Sequence, residues 1–76
     1  MEPRRNVEYT IINAVRTAPN TEVVLGEYLN DDQNMWVTWI CQNGKDYFWG
    51  HYFTDEKSAT INFLERALLE IKLMDP

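Results

Sequence analysis

The amino-acid sequence predicts a small α+β domain with the order helix, three-stranded antiparallel β-meander, helix (α-β-β-β-α), and with both helices packed on one face of the sheet. Apolar residues recur at helical steps towards both ends of the chain, while the middle is rich in β-branched and aromatic residues. An Asn43-Gly44 pair, which favours a hairpin turn, separates two strand-like runs in that middle part. With 76 residues the chain can hold one core, so we expect a single domain over residues 1–76.

The first predicted element is an amphipathic helix from Arg4 to Ala18. Its apolar residues recur three or four positions apart, as one face of a helix requires. They are Val7, Ile11, Ala14, Val15 and Ala18. Pro19 ends the helix, because proline disfavours helical geometry in the residue before it.

Three strands are expected next, at residues 22–29, 35–42 and 45–53. The segment from Asn30 to Asn34 is a cluster of turn formers and predicts the first connection. The second connection is the pair Asn43-Gly44, since a type I′ turn needs positive φ at both of its central positions.

The last predicted element is a helix that Thr54 can cap and that ends near Leu73. Asp55 and Glu56 in its first turn are favourable for the helix dipole. One broad stripe of this helix is expected to face the core. The stripe contains Thr60, Phe63, Leu64, Ala67, Leu68 and Ile71.

The two connections set the strand register and therefore the two faces of the sheet. A two-residue turn pairs Gln42 with Lys45, and a five-residue first loop pairs Leu29 with Met35. One face is then almost wholly apolar, and we expect it to carry both helices. Its residues are Val23, Leu25, Leu29, Met35, Val37, Trp39, Cys41, Phe48 and Tyr52.

The opposite face, which we call the predicted interface face, is aromatic and has no helix left to cover it. We expect it to be buried against a second copy in a homodimer, or against another protein, because large exposed apolar patches mark interaction sites. Its binding residues are expected to be Tyr28, Trp36, Thr38, Ile40, Tyr47, Trp49, His51 and Phe53.

Two other interpretations of this face stay open. Trp36, Tyr47, Trp49 and His51 could form the wall of a pocket in a small-ligand or regulatory binding domain. Alternatively, one helix crosses to this side, or Trp49 lies over Gly26 and shields the strands.

The sequence carries little of what catalysis or metal binding requires. His51 is the one histidine, and Ser58 is the one serine, so the usual set of base, nucleophile and orienting group is missing. Cys41 is the one cysteine, which excludes an internal disulfide and leaves few ligands for a metal. We therefore expect a protein that is not an enzyme and holds no cofactor or metal.

Charge and hydropathy exclude two further classes of partner. The formal net charge is −5, and residues 22–53 contain five acidic side chains but one basic residue, Lys45, which opposes nucleic-acid binding. No apolar run approaches the ~20 residues of a membrane span. The polar N-terminal segment that begins with Met1 does not look like a signal peptide, so a cytoplasmic protein is expected.

The predicted order of elements in a short acidic chain resembles that of small bacterial and phage accessory proteins, some of which inhibit nucleic-acid enzymes. The resemblance implies a bacterial or phage protein-interaction domain. It rests on the order of elements alone, because no motif identifies one family.

Overall fold

The computed structural model describes residues 4–74, so Met1 to Pro3, part of the segment used to argue against a signal peptide, lie outside it. The elements are β1 (Arg5–Asn6), β2 (Tyr9–Ala18), β3 (Thr21–Tyr28), β4 (Met35–Gln42), β5 (Asp46–Phe53) and α1 (Glu56–Met74). The strands form one antiparallel sheet in the order β1-β2-β3-β4-β5, curved into a half-barrel. The predicted order α-β-β-β-α is therefore wrong, and the resemblance that rested on it no longer applies.

The segment predicted as the first helix forms strands β1 and β2 instead. Six of the ten residues of β2 are β-branched or aromatic, which favours a strand: Tyr9, Thr10, Ile11, Ile12, Val15 and Thr17. The register against β3 shifts between Ile11 and Asn13. This bulge inserts a residue and reverses the alternation of side chains, so Ile11 and Val15 pack on opposite faces. Because the bulge interrupts the alternation of apolar and polar side chains, the apolar residues of β2 fall at steps of three and four, as they would on a helix.

Strands β3 and β4 pair one residue away from the predicted register. Tyr28 pairs with Met35, so the loop spans the six residues 29–34 and not five. The side chain of Asn30 holds this loop, because its Oδ1 accepts hydrogen bonds from the backbone N–H groups of Asp32 and Gln33. A slip of one residue exchanges the faces of β4 relative to β3.

The turn between β4 and β5 has the predicted backbone conformation but a different length. Asn43 and Gly44 have φ values of 57° and 72°, which confirms that both occupy the left-handed region. Lys45 also belongs to the turn, since its N–H donates to the carbonyl of Gln42 at 3.2 Å. Strand pairing begins with Gln42 and Asp46, so the predicted pair of Gln42 with Lys45 is wrong.

A bulge interrupts β5, where Trp49 and Gly50 together stand opposite Trp39. Trp49 has a left-handed φ of 56°, which is a strained conformation for a bulky residue. The bulge reverses the alternation along β5, so Phe48 packs on one face and Tyr52 on the other. The prediction that these two residues share a face is therefore wrong.

Helix α1 packs on one face of the sheet through a narrow stripe of its own residues. Ala59, Phe63 and Ala67 are buried, and the two alanines allow the helix to approach the strands closely. Against them lie Val23, Leu25, Trp36 and Ile40, with Val15, Phe48 and Phe53 around the margin. The expectation that helices cover Val37, Trp39 and Cys41 is wrong, because on β4 the helix covers Trp36 and Ile40, which were predicted to stay open. Val23, Leu25 and Phe48, which were predicted to lie beneath helices, do pack against α1.

The other face carries what we call the aromatic cluster: Tyr9, Tyr28, Trp39, Tyr47 and Tyr52. Trp39 lies at the centre of the cluster and is nearly fully buried. The rings of Tyr9, Tyr47 and Tyr52 meet its ring edge to face, with centroid distances of 5.5, 5.5 and 6.3 Å. The ring of Tyr28 joins through Tyr9 at 5.8 Å. The aromatic rings thus form a second small core without a helix.

The start of α1 is capped by Asp55 and not by Thr54 as predicted. The Oδ2 atom of Asp55 accepts a hydrogen bond from the backbone N–H of Ser58 at 2.8 Å. This is the geometry of an N-cap, in which a side-chain oxygen satisfies one of the free donors of the first turn. The helix ends at Met74, one residue after its predicted end near Leu73.

Candidate interaction surfaces

The predicted interface face is divided between buried and exposed environments. Trp36, Thr38 and Ile40 are buried beneath α1 and are not available to a partner. Their burial follows from the register, because all three belong to the face of β4 on which the helix packs. The expected continuous open surface is therefore not present.

The other five residues of that prediction are spread over both sides of the sheet. Tyr28 and Tyr47 are half-buried in the aromatic cluster, whereas Phe53 is half-buried beside α1. Trp49 and His51 are exposed on β5, and Trp49 contacts only Phe48 among aromatic rings in the described chain, at 5.4 Å. The structure thus does not assemble the eight predicted residues into one site.

A polar group at the centre of the helix–sheet interface fixes the position of α1. Thr38 is fully buried, and its Oγ1 donates to Oδ1 of Asn62 at 2.6 Å. Arg66, one turn further along the helix, donates to the Oγ1 and the carbonyl of Thr38 at 3.0 and 3.1 Å. Partial burial of the Arg66 guanidinium lowers its pKa. These bonds satisfy the buried hydroxyl and hold α1 in position on the sheet.

A second polar group, around Arg4 just before β1, joins the start of the described chain to the edge of the aromatic cluster. The Arg4 guanidinium forms a two-pronged ion pair with Glu22 at 2.7 and 3.2 Å and donates to the Tyr47 hydroxyl at 3.0 Å. Its bond to Glu22 is the main reason why the pKa of Arg4 is raised. Burial raises the pKa of Tyr47, an effect that the bond from Arg4 opposes.

The Cys41 thiol lies beside the Arg4 guanidinium and is fully buried. Its Sγ accepts a hydrogen bond from Nη2 of Arg4 at 3.1 Å. A buried thiol of this kind behaves as a small apolar side chain. Within residues 4–74, no group of three or more His, Cys, Asp or Glu residues is placed to hold a metal ion. No helix in that range is long and apolar enough to cross a membrane.

Two shallow clefts, of about 580 and 270 Å³, indent the surface. The larger lies at the end of the sheet between the β2–β3 and β4–β5 turns, and it is lined mainly by polar residues, including Arg16, Glu22 and Asn43. The smaller is lined by Tyr28 together with residues of β1, β2 and β3. Trp36, Trp49 and His51 line neither, so these clefts do not support the ligand-pocket interpretation.

An unpartnered row of apolar side chains lies on α1, on a line that we call the outer stripe. It consists of Ile61, Leu64, Leu68 and Ile71, which are 48%, 55%, 55% and 45% exposed. The steps between them are three, four and three residues, so the four side chains lie along one line of the helix. The exposed Glu65 borders this line, four positions after Ile61 and three before Leu68. The stripe has the spacing by which one helix packs against another.

Sequence reasoning placed part of this stripe in the core. Leu64, Leu68 and Ile71 were expected to face the sheet, but they point away from it and only Phe63 and Ala67 of that set are buried. The apolar positions of α1 are too many for one buried face, because they occupy two faces of the helix. That excess of apolar residues was the signal available in the sequence.

Comparison with known proteins identifies no relative. No protein-family model, no curated protein and no solved structure matches the chain. The function is therefore argued from the surfaces of the molecule alone.

Proposed function

We propose that this chain is a non-enzymatic protein-interaction domain that forms a homodimer through the outer stripe of α1. The observation that carries the proposal is the unbroken row of four half-exposed aliphatic side chains on a helix whose opposite side is already packed. A helix that is apolar on two sides is expected to be buried on both. The interface expected from the sequence is thus moved from the sheet to the helix.

The size of the molecule is compatible with a partner. A domain of 76 residues has a thin core, and oligomerisation is one of the ways in which small domains gain apolar burial. A second helix on the outer stripe would bury four side chains that the monomer leaves half-exposed.

A second copy is favoured over other occupants by symmetry and by charge. A row of aliphatic side chains is complementary to itself, so two copies related by a two-fold axis bury the same residues on both sides. The net charge of −5 opposes contact with nucleic acid or with anionic lipid, and the four residues of the stripe are themselves uncharged. Because four side chains make a small interface, we expect a dimer of modest affinity.

Leu68 and Leu69 provide a matched pair of positions for the test. They are adjacent on α1 and almost equally exposed, at 55% and 56%, but they point about 100° apart around the helix. Leu68→Glu places a carboxylate in the proposed interface, whereas Leu69→Glu makes the same change of charge and helix propensity outside it. Sedimentation equilibrium over a wide concentration range measures the mass of wild type and both variants.

We expect wild type and Leu69→Glu to change from monomer to dimer as concentration rises, while Leu68→Glu stays monomeric with an unchanged circular dichroism spectrum. A wild type that remains monomeric up to about 1 mM, where even a weak contact of about −4 kcal/mol would be half populated, contradicts the proposal. Equal weakening by the two substitutions would place the interface elsewhere.

A further inference from the structure

The polar group around Thr38 at the helix–sheet interface contains more hydrogen-bond donors than acceptors. Both oxygens of Thr38 accept from Arg66, and Oδ1 of Asn62 accepts from the Thr38 hydroxyl. Both bonds from Arg66 start at Nη1, so its Nε and Nη2 groups have no hydrogen-bond partner among residues 4–74. The Nδ2 group of Asn62 has none in that range either. Donors that lack acceptors are therefore concentrated at this place.

These free donors are accessible from the surface. Within the described chain, Nε1 of Trp36 is the one buried side-chain nitrogen or oxygen without a partner, so the free nitrogens of Arg66 and Asn62 are not buried. His51 pairs with Thr38 in the register of β4 and β5, and its side chain is exposed. Paired residues share a face and have Cβ atoms about 4.5 to 5.5 Å apart, so the imidazole adjoins the group.

The Arg66 guanidinium is a half-buried positive charge without a counter-ion. The ion pair of the described chain is that of Arg4 with Glu22, and no carboxylate in this part of the chain pairs with Arg66. Burial lowers the pKa of Arg66, and the charge of Glu70, one turn along α1, acts in the opposite direction. Charges that are taken out of water are normally paired. Because Thr38 already holds Nη1, an arriving anion would not have to order this side chain.

The chemistry of the free donors favours a carboxylate. The Nε and Nη2 groups form one edge of the planar guanidinium, and such an edge can bind both oxygens of a carboxylate at once. The net charge of −5, with Glu65 next to Arg66 in the sequence, opposes a polyanion far more than a ligand with a single negative charge. The class of ligand that fits is therefore a monocarboxylate.

We propose that Arg66 and Asn62, with His51 at the margin, form a binding site for the carboxylate group of a small acid or of a peptide. The carboxylate oxygens accept from Nε and Nη2 of Arg66 and from Nδ2 of Asn62. The site does not include the outer stripe of α1. It is therefore a function beyond the proposed homodimer and does not depend on it.

Side-chain ¹H–¹⁵N NMR spectra of labelled protein test the site, because they report on the Nε–H of arginine and on the Nδ2 group of asparagine. Sodium acetate is the probe for a free acid, and acetylated Ala-Ala with a free carboxyl end is the probe for a peptide. Sodium chloride at equal ionic strength and the amidated form of the same peptide are the controls. Arg66→Gln removes the guanidinium, and Arg16→Gln removes the same charge from an exposed position on β2.

We expect the signals of Arg66 Nε and Asn62 Nδ2 to shift and to saturate, with a dissociation constant on the order of 1 mM, as for a contact of few bonds. Arg16→Gln should bind as wild type does. Arg66→Gln should bind about tenfold more weakly, because it loses a charge-assisted pair of hydrogen bonds. Arg66→Lys keeps the charge but loses the planar fork, and it should also bind more weakly. It provides the comparison if Arg66→Gln does not fold.

The two probes separate the sources of the carboxylate. Saturation by acetate supports a site for a small acid, and saturation by the peptide but not by acetate supports a site for a peptide carboxylate. Equal shifts in acetate and chloride, together with equal shifts from the peptide and its amidated form, would overturn the proposal. Binding that is unchanged in the folded variants of Arg66, or lost equally in Arg16→Gln, would overturn it as well.

Discussion

Gly50 lies where the ring of Trp39 crosses strand β5. A Cβ atom added at Gly50 would lie 2.7 Å from Nε1 of Trp39, which is closer than such atoms approach, and 3.0 Å from Cε1 of Tyr52, which is a tight contact. Gly44 presents the opposite case, since nothing lies within 4 Å of its added Cβ but its φ is +72°. One glycine is required by packing and the other by backbone conformation.

Asparagine separates these two requirements, because it tolerates the left-handed region but is larger than glycine. We expect Gly50→Asn to destabilise the fold by about 1 to 3 kcal/mol, since the aromatic cluster would be forced apart. Gly44→Asn should cost less than about 1 kcal/mol. Urea unfolding measures both free energies. Equal costs for the two variants would mean that Trp39 does not pack on the bulge as described.

At the scale of elements, the sequence predicted three of the five strands, the Asn43-Gly44 turn and the C-terminal helix, but it did not predict which side chains share a face. The reason is that successive side chains of a strand alternate between the two faces of the sheet. Each bulge inserts one extra residue and so exchanges the faces of all residues beyond it. The bulge after Ile11 removed the strand-like alternation of β2, so that this strand was predicted as a helix. The bulge at Trp49 places Phe48 and Tyr52 on opposite faces of the sheet. The bulge after Ile11 has no signal such as Asn-Gly in the sequence, whereas Gly50 inside β5 is the kind of residue that marks a bulge.

The candidate site was affected in the same way. Trp36 and Ile40 were assigned to an open face because the loop before β4 was counted as five residues and contains six. An apolar pattern identifies residues that will be buried somewhere, but the occupant of each face is decided by register and by the path of the chain. The excess of leucine and isoleucine on α1 was visible, whereas the side of the helix that meets the sheet was not.

The cap of α1 gives a prediction for this element that depends on pH. The bond from the Ser58 N–H to Asp55 lowers the pKa of that carboxyl below its ordinary value of 3.8. A group with a depressed folded-state pKa contributes stability above its unfolded value, and the contribution is lost as pH falls through the folded-state value. The carboxylate should therefore stabilise the helix at pH 7 and cease to do so in strong acid.

We expect Asp55→Ala to lower the thermal midpoint at pH 7, and the difference from wild type to shrink as pH falls below 3.8. Asp55→Asn, which keeps a side-chain oxygen for the Ser58 N–H, is the matched control and should lose less. Thermal unfolding followed by circular dichroism at a series of pH values measures the effect. A difference between Asp55→Ala and wild type that grows in acid would contradict this assignment of the cap.

At the scale of the whole molecule, the sheet and α1 make two small cores on opposite sides of one layer of strands. The helix side is closed by Phe63 and two alanines, and the other side is closed by aromatic rings packed on Trp39. Neither core uses the outer stripe of α1, although that stripe holds four aliphatic side chains. In a chain of 76 residues, association through such a stripe adds apolar burial that the monomer lacks.

The central claim is that a second copy covers the outer stripe, and contacts between labelled and unlabelled molecules test it most directly. An equimolar mixture of ¹³C-labelled and unlabelled protein, at a concentration where the dimer is populated, gives isotope-filtered NOE signals only between different copies. We expect these signals from the methyl groups of Ile61, Leu64, Leu68 and Ile71. Intermolecular signals that involve Trp49 instead, or none in a sample that sediments as a dimer, would contradict the account.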